Sequence, residues 1–247
     1  MTLGPPTRDG CEALLALWER GLGQDGWLQA DALLREDERA AVQTLGARTR
    51  ALVRLHSTLF GPRVELVSHC PSCDSLAQFS VDCDALLEGL PVPTGGAVHR
   101  LELPGCAIEF RLPTSADIAA ASNQPTDDAF ARQLIVGCVL GCNRDGDLVQ
   151  PNALPDEILD AVSQRMEALD PGATVSFAVD CPDCATRWTA PLDVGQLVWQ
   201  HVRTAAERLF LDVDALARAY GWTEQEILSL PPARRAAYLQ IVMMAER

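Results

Sequence analysis

Apolar residues recur at steps of three and four along much of the chain, which is the spacing of one buried face of an amphipathic helix. The longest such run extends from Val194 to Tyr220 and is followed by Gly221, a residue that often ends helices. The same spacing, with capping residues and proline breaks, predicts helices at 11–21, 31–60 (one helix or a pair), 84–90, 127–140, 155–169 and 223–230, an alanine-rich helix that opens at 113–117, and a last helix after Pro231-Pro232. We therefore expect a mostly helical protein.

Short β-prone runs interrupt the helical pattern in three places. One hairpin is predicted within His99–Leu112, where partly alternating apolar residues surround Pro104-Gly105. In the other two places a β-prone run precedes a Cys-Pro-x-Cys sequence and a second run follows it: Val64–Val67 with Ala77–Val81, and Val175–Val179 with Thr186–Leu192. Residues 143–147 predict a turn. The predicted fold class is therefore α+β.

Four of the nine cysteines form two Cys-Pro-x-Cys pairs, Cys70 with Cys73 and Cys181 with Cys184, at a constant offset of 111 residues. Two intervening residues let one tight turn aim both sulfurs at one point, as in a zinc knuckle. A structural zinc needs four ligands, so the two knuckles together complete one site. We predict one structural Zn²⁺ per chain, held by a zinc-ribbon-like pair of β-hairpins with a single four-cysteine site.

Other roles for the paired cysteines fit the sequence less well. A redox Cys-x-x-Cys usually opens a helix, whose N-terminus lowers the thiol pKa, but here the following residues are β-prone and there are two pairs. An odd number of cysteines without a secretory signal argues against a disulfide framework. Four cysteine ligands leave no open position for water, so the site is not expected to be catalytic. Chance thiols with no shared role are the remaining alternative.

The other potential ligands have simpler explanations. His69 precedes the first pair, where a solvated or supporting position is favoured over metal ligation. Cys138 and Cys142 lie four residues apart in an apolar stretch, so buried apolar roles are expected, with a second metal half-site as the alternative. His201 falls on an apolar helix face and is expected in the core. The sequence leaves open the roles of Cys11, Cys83 and Cys106.

The charge balance bears on possible partners. Lys and Arg number 20 against 34 Asp and Glu, a formal net charge of −14, which repels phosphate backbones. The segment 216–230 resembles a helix-turn-helix, but it carries Glu224 and Glu226 where a recognition helix needs basic side chains. Because of this acidic charge, we expect no nucleic-acid partner. A zinc-ribbon transcriptional regulator that binds DNA is kept as the alternative function.

The absence of several kinds of sequence motif predicts where the protein is located and whether it is an enzyme. No apolar run reaches the ~18–20 residues that span a bilayer, and residues 1–10 contain no apolar signal region, so a cytoplasmic protein without membrane contact is expected. No nucleophile elbow, phosphate-binding loop, dinucleotide fingerprint or zinc-protease motif is present. We therefore expect a protein that is not an enzyme.

The elements group into five predicted segments along the chain. In order they are N-terminal helices (1–63), the first knuckle hairpin with a short helix (64–90), an inserted hairpin with helices (91–172), the second knuckle hairpin (173–193) and C-terminal helices (194–247).

Four stretches spread along most of the chain resemble a known family. They are Leu17–Gly21, Phe60–Arg63 running into the first cysteine pair, Phe110–Asp117, and the second pair running on through Leu197–Trp199 to Ala219–Glu224. The last stretch, with Ile227–Leu230 and Arg235–Leu239, is the most specific. In these stretches the chain is similar to the baseplate hub assembly chaperone-like proteins of phage-tail-like contractile injection systems, a group related in name to T-even phage baseplate proteins.

The resemblance implies a non-enzymatic protein that acts in the assembly of a contractile tail or its baseplate. It would be a transient chaperone or an incorporated component, with baseplate, hub or spike proteins as partners. Trp199, Tyr220 and Trp222 are candidates for contact with a partner or for the core, and the core is favoured for each.

Overall fold

Helices predominate in the computed structural model, and its strands form small antiparallel sheets. The structure describes residues 8–24, 26–36, 44–92, 98–144 and 147–245. The α+β class predicted from the sequence is confirmed. No described helix is both long enough and apolar enough to span a membrane.

The described helices and strands follow one another along the chain as follows. The helices are α1 (Arg8–Gly21), α2 (Gly26–Leu33), α3 (Leu45–Phe60), α4 (Cys83–Gly89), α5 (Ser115–Ala121), α6 (Asp127–Cys138), α7 (Asp156–Leu169), α8 (Val194–Tyr220), α9 (Glu224–Ser229) and α10 (Pro232–Ala245). The strands are β1 (Arg63–His69), β2 (Leu76–Asp82), β3 (His99–Leu103), β4 (Cys106–Phe110), β5 (Val139–Arg144), β6 (Asp147–Leu148), β7 (Val175–Asp180) and β8 (Arg187–Leu192).

Capping residues set the ends of several helices. The Thr223 hydroxyl accepts a hydrogen bond from the Glu226 amide, and the Glu226 carboxylate accepts one from the Thr223 amide, which is a complete capping box at the start of α9. At α5 the Asp117 carboxylate accepts from the Thr114 amide at 2.8 Å. Helix α8 ends at Gly221, whose φ of 69° is left-handed and suits a residue without a side chain.

The main core joins the N-terminal helices, the long helix α8 and both knuckle hairpins. Leu52 of α3 packs there with Val198 and Val202 of α8, and all three are fully buried. The hairpins add Val64 from β1 and Val175 from β7 to the same cluster. Both hairpins are therefore anchored on one apolar base, which orients their turns.

The middle of the chain forms a second core around a four-stranded antiparallel sheet. Its strand order is β3-β4-β5-β6, and helix α7 packs on it. Ile108, Phe110 and Val162 are fully buried in this cluster.

The predictions for this region were wrong in part. A single hairpin and a helix reaching residue 140 were expected, whereas α6 ends at Cys138 and β5 starts at once. Val139 pairs with Phe110 of β4, so pairing with a distant strand decides the structure of an apolar run whose periodicity also fits a helix. Asn143 and Arg144 lie in β5 instead of in a turn, and 145–146 lie outside the described residues.

Candidate metal centre

Two regular antiparallel hairpins present the cysteine pairs at their tips. The first pairs residues from Arg63 opposite Asp82 to His69 opposite Leu76, without a bulge. The second, β7 with β8, has the same form, and neither hairpin is hydrogen-bonded to a further strand within the described residues. Each pair of cysteines lies in the turn or directly beside it.

The two turns are built alike, as the repeat in the sequence predicts. The amide of Cys70 donates to the Ser75 carbonyl at 2.9 Å, and that of Cys181 donates to the Thr186 carbonyl at 2.9 Å. The residue after the second cysteine is left-handed in both turns, with a φ of 61° at Asp74 and 56° at Ala185. Because these two residues are also 111 positions apart, the duplication extends to backbone conformation.

The four sulfurs converge on one point. The Sγ atoms of Cys70, Cys73, Cys181 and Cys184 all lie within 4.8 Å of one another. Across the hairpins, the Cys70 and Cys184 sulfurs are 3.6 Å apart, and those of Cys73 and Cys181 are 3.5 Å apart. A tetrahedral ion with bonds of about 2.3 Å to sulfur needs sulfur–sulfur separations of about 3.8 Å. The cluster therefore has the size and composition to hold one tetrahedral, thiolate-binding metal ion.

Side-chain contacts hold the hairpins together beneath this cluster. Ala77, Val179 and Ala190 form a small buried cluster between them. The rings of Phe79 and Phe177 meet there with centroids 5.9 Å apart. Contacts between the hairpins thus help to bring the two turns together.

Polar contacts also connect the two turns. The Ser75 hydroxyl donates to the Asp183 carboxylate, which belongs to the opposite turn. On the second turn, a hydrogen bond with the Thr186 hydroxyl lowers the pKa of Cys184 to about 6. A backbone hydrogen bond from the Cys184 amide lowers the pKa of Cys181, but desolvation and the thiols of Cys184 and Cys73 raise that pKa to about 11. Metal binding at this cluster would therefore release protons.

The other residues that were considered as ligands and given simpler roles lie outside this cluster. The His69 Nδ1 atom is 3.2 Å from a carboxylate oxygen of Asp74, and the side chain is exposed. Cys142 lies beside Cys106, with their sulfurs 3.2 Å apart, whereas Cys138 accepts a hydrogen bond from Arg111. Within the described residues no second group of three potential ligands exists, so the half-site considered for Cys138 and Cys142 has no partner group.

A histidine pair that the sequence did not reveal lies at the edge of the main core. The His56 Nε2 atom is 2.9 Å from the His201 Nδ1 atom, and the Cys83 sulfur lies 3.8 Å from the His56 Nδ1 atom. His56 is buried, whereas His201, which was expected in the core, is half-buried at its edge. Burial, together with the neighbouring His201, lowers the pKa of His56 to about 4.

We expect this pair to make the fold sensitive to mild acid. In the unfolded chain His56 takes up a proton near pH 6.5, but in the folded chain only near pH 4. The contribution of neutral His56 to the free energy of unfolding is therefore complete above pH 6.5. At most about 3 kcal/mol of that free energy is lost as pH falls towards 4. Urea unfolding of the His56→Gln variant should show a weaker loss of stability between pH 7 and pH 4.5 than the original chain. Equal losses of stability in the variant and in the original chain would contradict this role. Both proteins keep the cysteine cluster, so the comparison isolates His56.

The three aromatic residues considered for partner contact occupy two different environments. Trp199 is 5% exposed and belongs to the main core. Tyr220 stacks on Trp222 with ring centroids 4.5 Å apart, and both rings meet Tyr238 edge-on. Tyr220 is 37% exposed, so this second cluster reaches the surface.

Comparison of the chain with protein-family models, with curated proteins and with solved structures finds no match.

Proposed function

We propose that the four cysteines bind one structural Zn²⁺ and that the two hairpins act as a zinc ribbon. The observation that supports this is the convergence of four thiols from two turns with the same backbone form. Zinc suits an all-thiolate tetrahedron, and four protein ligands leave no position for a reacting water. The role of the ion is therefore to fix the two hairpins relative to each other.

We further propose that the chain is a non-enzymatic assembly protein for the baseplate or hub of a contractile, phage-tail-like injection system. The resemblance of its C-terminal stretch carries this proposal. The residues of that stretch form one local unit, in which Trp222 and Tyr238 lie beside buried Ile227. Buried Arg235 connects this unit to α1 through a hydrogen bond with the Cys11 sulfur.

Exposed apolar side chains on the C-terminal helices support a role in binding other proteins. Leu211 on α8 is 68% exposed, and Met243 and Met244 on α10 are 64% and 75% exposed. Exposed apolar groups that lie together on a surface often mark a site of contact with another protein. An acidic, metal-stabilised body with such groups fits a protein that contacts other chains during assembly.

Co-purification tests the assembly proposal. The tagged chain would be expressed together with any contractile-tail genes found beside its own gene, and captured proteins would be identified by mass spectrometry. Recovery of a baseplate, hub or spike protein is expected. The amount of tail protein captured by a Leu211→Glu variant is the matched comparison. Leu211 is on the surface, so this substitution should not unfold the protein.

Failure to recover any tail component would contradict the assembly proposal. The alternative, a DNA-binding regulator, predicts retention on DNA that weakens steeply with salt. The acidic groups around the turns, Asp74, Asp180 and Asp183, oppose such binding. Retention of the zinc-loaded chain on DNA at physiological salt would favour the regulator instead.

A further inference from the structure

A groove of about 840 Å³ lies between strands β2 and β7 of the two hairpins. Every residue of β2, from Leu76 to Asp82, lines it, together with residues 177–180 of β7. Successive side chains point to opposite faces of a strand, so a groove lined by consecutive residues follows the strand's edge. The edge of a strand is where its backbone N–H and C=O groups point. The groove therefore follows the edge of β2 beside β7, with which β2 packs through the cluster that contains Ala77 and Val179.

Two backbone hydrogen bonds fix which residues of β2 turn their polar groups towards this groove. In an antiparallel pair, residues alternate between those that exchange both backbone hydrogen bonds with the opposite residue and those whose groups point away. At one end of the first hairpin the Cys70 amide donates to the Ser75 carbonyl, and at the other the Cys83 amide donates to the Pro62 carbonyl. Both bonds give the same alternation across the uninterrupted register of β1 and β2.

It follows that Ala77, Phe79 and Val81 bond to β1, whereas Gln78 and Ser80 point their backbone groups away from it. Within the described residues, β1 is the sole strand partner of β2. The outward N–H and C=O groups of Gln78 and Ser80 thus form a row along the groove that can pair with another extended chain.

The facing strand, β7, offers a second row of the same kind. The bond from the Cys181 amide to the Thr186 carbonyl fixes its alternation. Ala178 and Asp180 then point their backbone groups away from β8, and both line the groove. Pro191 of β8, which has no N–H, lies at an outward position, as this alternation requires.

The duplicated hairpins differ at one informative position. Ser80 of β2 and Pro191 of β8 are 111 residues apart, so they are equivalent in the repeat. Proline at an outward position of an edge strand prevents pairing with a further strand. The outer edge of the second hairpin is therefore blocked, while the equivalent edge of the first hairpin is open along the groove.

The charge of the lining indicates which kind of chain would fit. Asp82 and Asp180 are the charged residues among the described ones that line the groove. Asp180 forms an ion pair with Arg187 at 3.0 Å, whereas the Asp82 carboxylate accepts backbone hydrogen bonds at the start of α4 and meets no described cation there. The chain as a whole carries −14. An occupant with Lys or Arg beside the Asp82 carboxylate and few acidic residues is complementary to the groove.

We infer that the groove between β2 and β7 binds an extended, cationic segment of a partner protein, which adds to the open edge of β2 as a further strand. Backbone hydrogen bonds with Gln78 and Ser80 provide the pairing, and the Asp82 carboxylate, on a chain of net charge −14, favours basic residues. The inference deepens the proposed assembly function. Only the identity of the partner rests on that function, and the mode of binding does not.

The binding mode can be tested with a probe peptide and the zinc-loaded, full-length chain. The probe is a synthetic peptide of about seven residues, the length of β2, with alternating Val and Thr and Lys at both ends. Amide NMR spectra should show shifts of Gln78, Ser80 and Ala178 at millimolar peptide. Hydrogen exchange of the Gln78 and Ser80 amides, fast in the free chain, should slow by at least about tenfold on binding.

Two proline variants separate edge pairing from general disturbance of the hairpins. Ser80→Pro removes the outward N–H of β2 and copies the residue at the equivalent position of β8. Thr189→Pro places the same residue at an outward position of β8 that does not line the groove. Both variants should keep their zinc, and Ser80→Pro alone should abolish the peptide-induced shifts.

The remaining outcomes would overturn the inference. Shifts confined to other surfaces, or equal binding by the Ser80→Pro variant, would show that β2 does not pair. If a peptide with Glu at both ends bound equally well, the inferred preference of the groove for basic residues would be wrong. A dimer in analytical ultracentrifugation that Ser80→Pro dissociates would assign the edge to a second copy of the chain. Each result is independent of which tail protein is captured, so it is distinct from failure of the assembly proposal.

Discussion

We expect the Cys70→Ser and Cys181→Ser variants each to lose the proposed zinc ion and a large share of the stability of the fold. In the proposed site one ion would join turns that are about 100 residues apart, and closing a loop of that length contributes about 4–5 kcal/mol by chain entropy alone. Domains of this kind are stable by about 5–15 kcal/mol, so the loss is a large share of the total. Elemental analysis should find about one zinc per original chain and almost none in either variant.

The double variant gives the sharpest form of this experiment. If Cys70 and Cys181 hold the same ion, the first substitution already empties the site, and the second adds little. Cys142→Ala is the matched control, because this buried thiol lies outside the cluster and its loss should leave the zinc content unchanged. Additive losses, or half the metal retained in each single variant, would contradict a shared site.

The second large effect concerns Trp199. We expect Trp199→Ala to destabilise the protein by about 3–5 kcal/mol, since a large buried ring is removed and the core cannot close around the cavity. The ring packs so tightly against α1 that a methyl group added at Gly21 would collide with it. Urea unfolding of the zinc-loaded variant measures this loss.

Trp222→Ala is the comparison for that experiment, because this ring lies in the partly exposed cluster with Tyr220. Its removal should cost clearly less, about 1–2 kcal/mol. A Trp199→Ala variant with unchanged stability but lost capture of a tail protein would make Trp199 a partner contact and would contradict its assignment to the core.

The four-cysteine cluster was predictable because its information is local and repeated. A Cys-Pro-x-Cys sequence fixes a turn by itself, and two copies with matching flanks predict one shared site. The long helix α8 was predictable for a similar reason, because its apolar spacing persists from Val194 to Tyr220, where Gly221 ends it.

What the sequence did not reveal depends on contacts between distant residues. Strand β5 exists because Val139 pairs with Phe110, and a run of apolar residues after a helix carries no sign of that partner. The pairing of His56 with His201 joins residues 145 positions apart. The open edge of β2 became visible only from the register of the hairpin, which decides that Ser80 points its backbone away from β1.

X-ray absorption spectroscopy at the zinc edge tests the central claim most directly. The purified chain should show one shell of four sulfur atoms at about 2.3 Å from the metal. A shell that contains nitrogen or oxygen ligands, or fewer than four sulfurs per zinc, would contradict a single ion held by the thiolates of both hairpins.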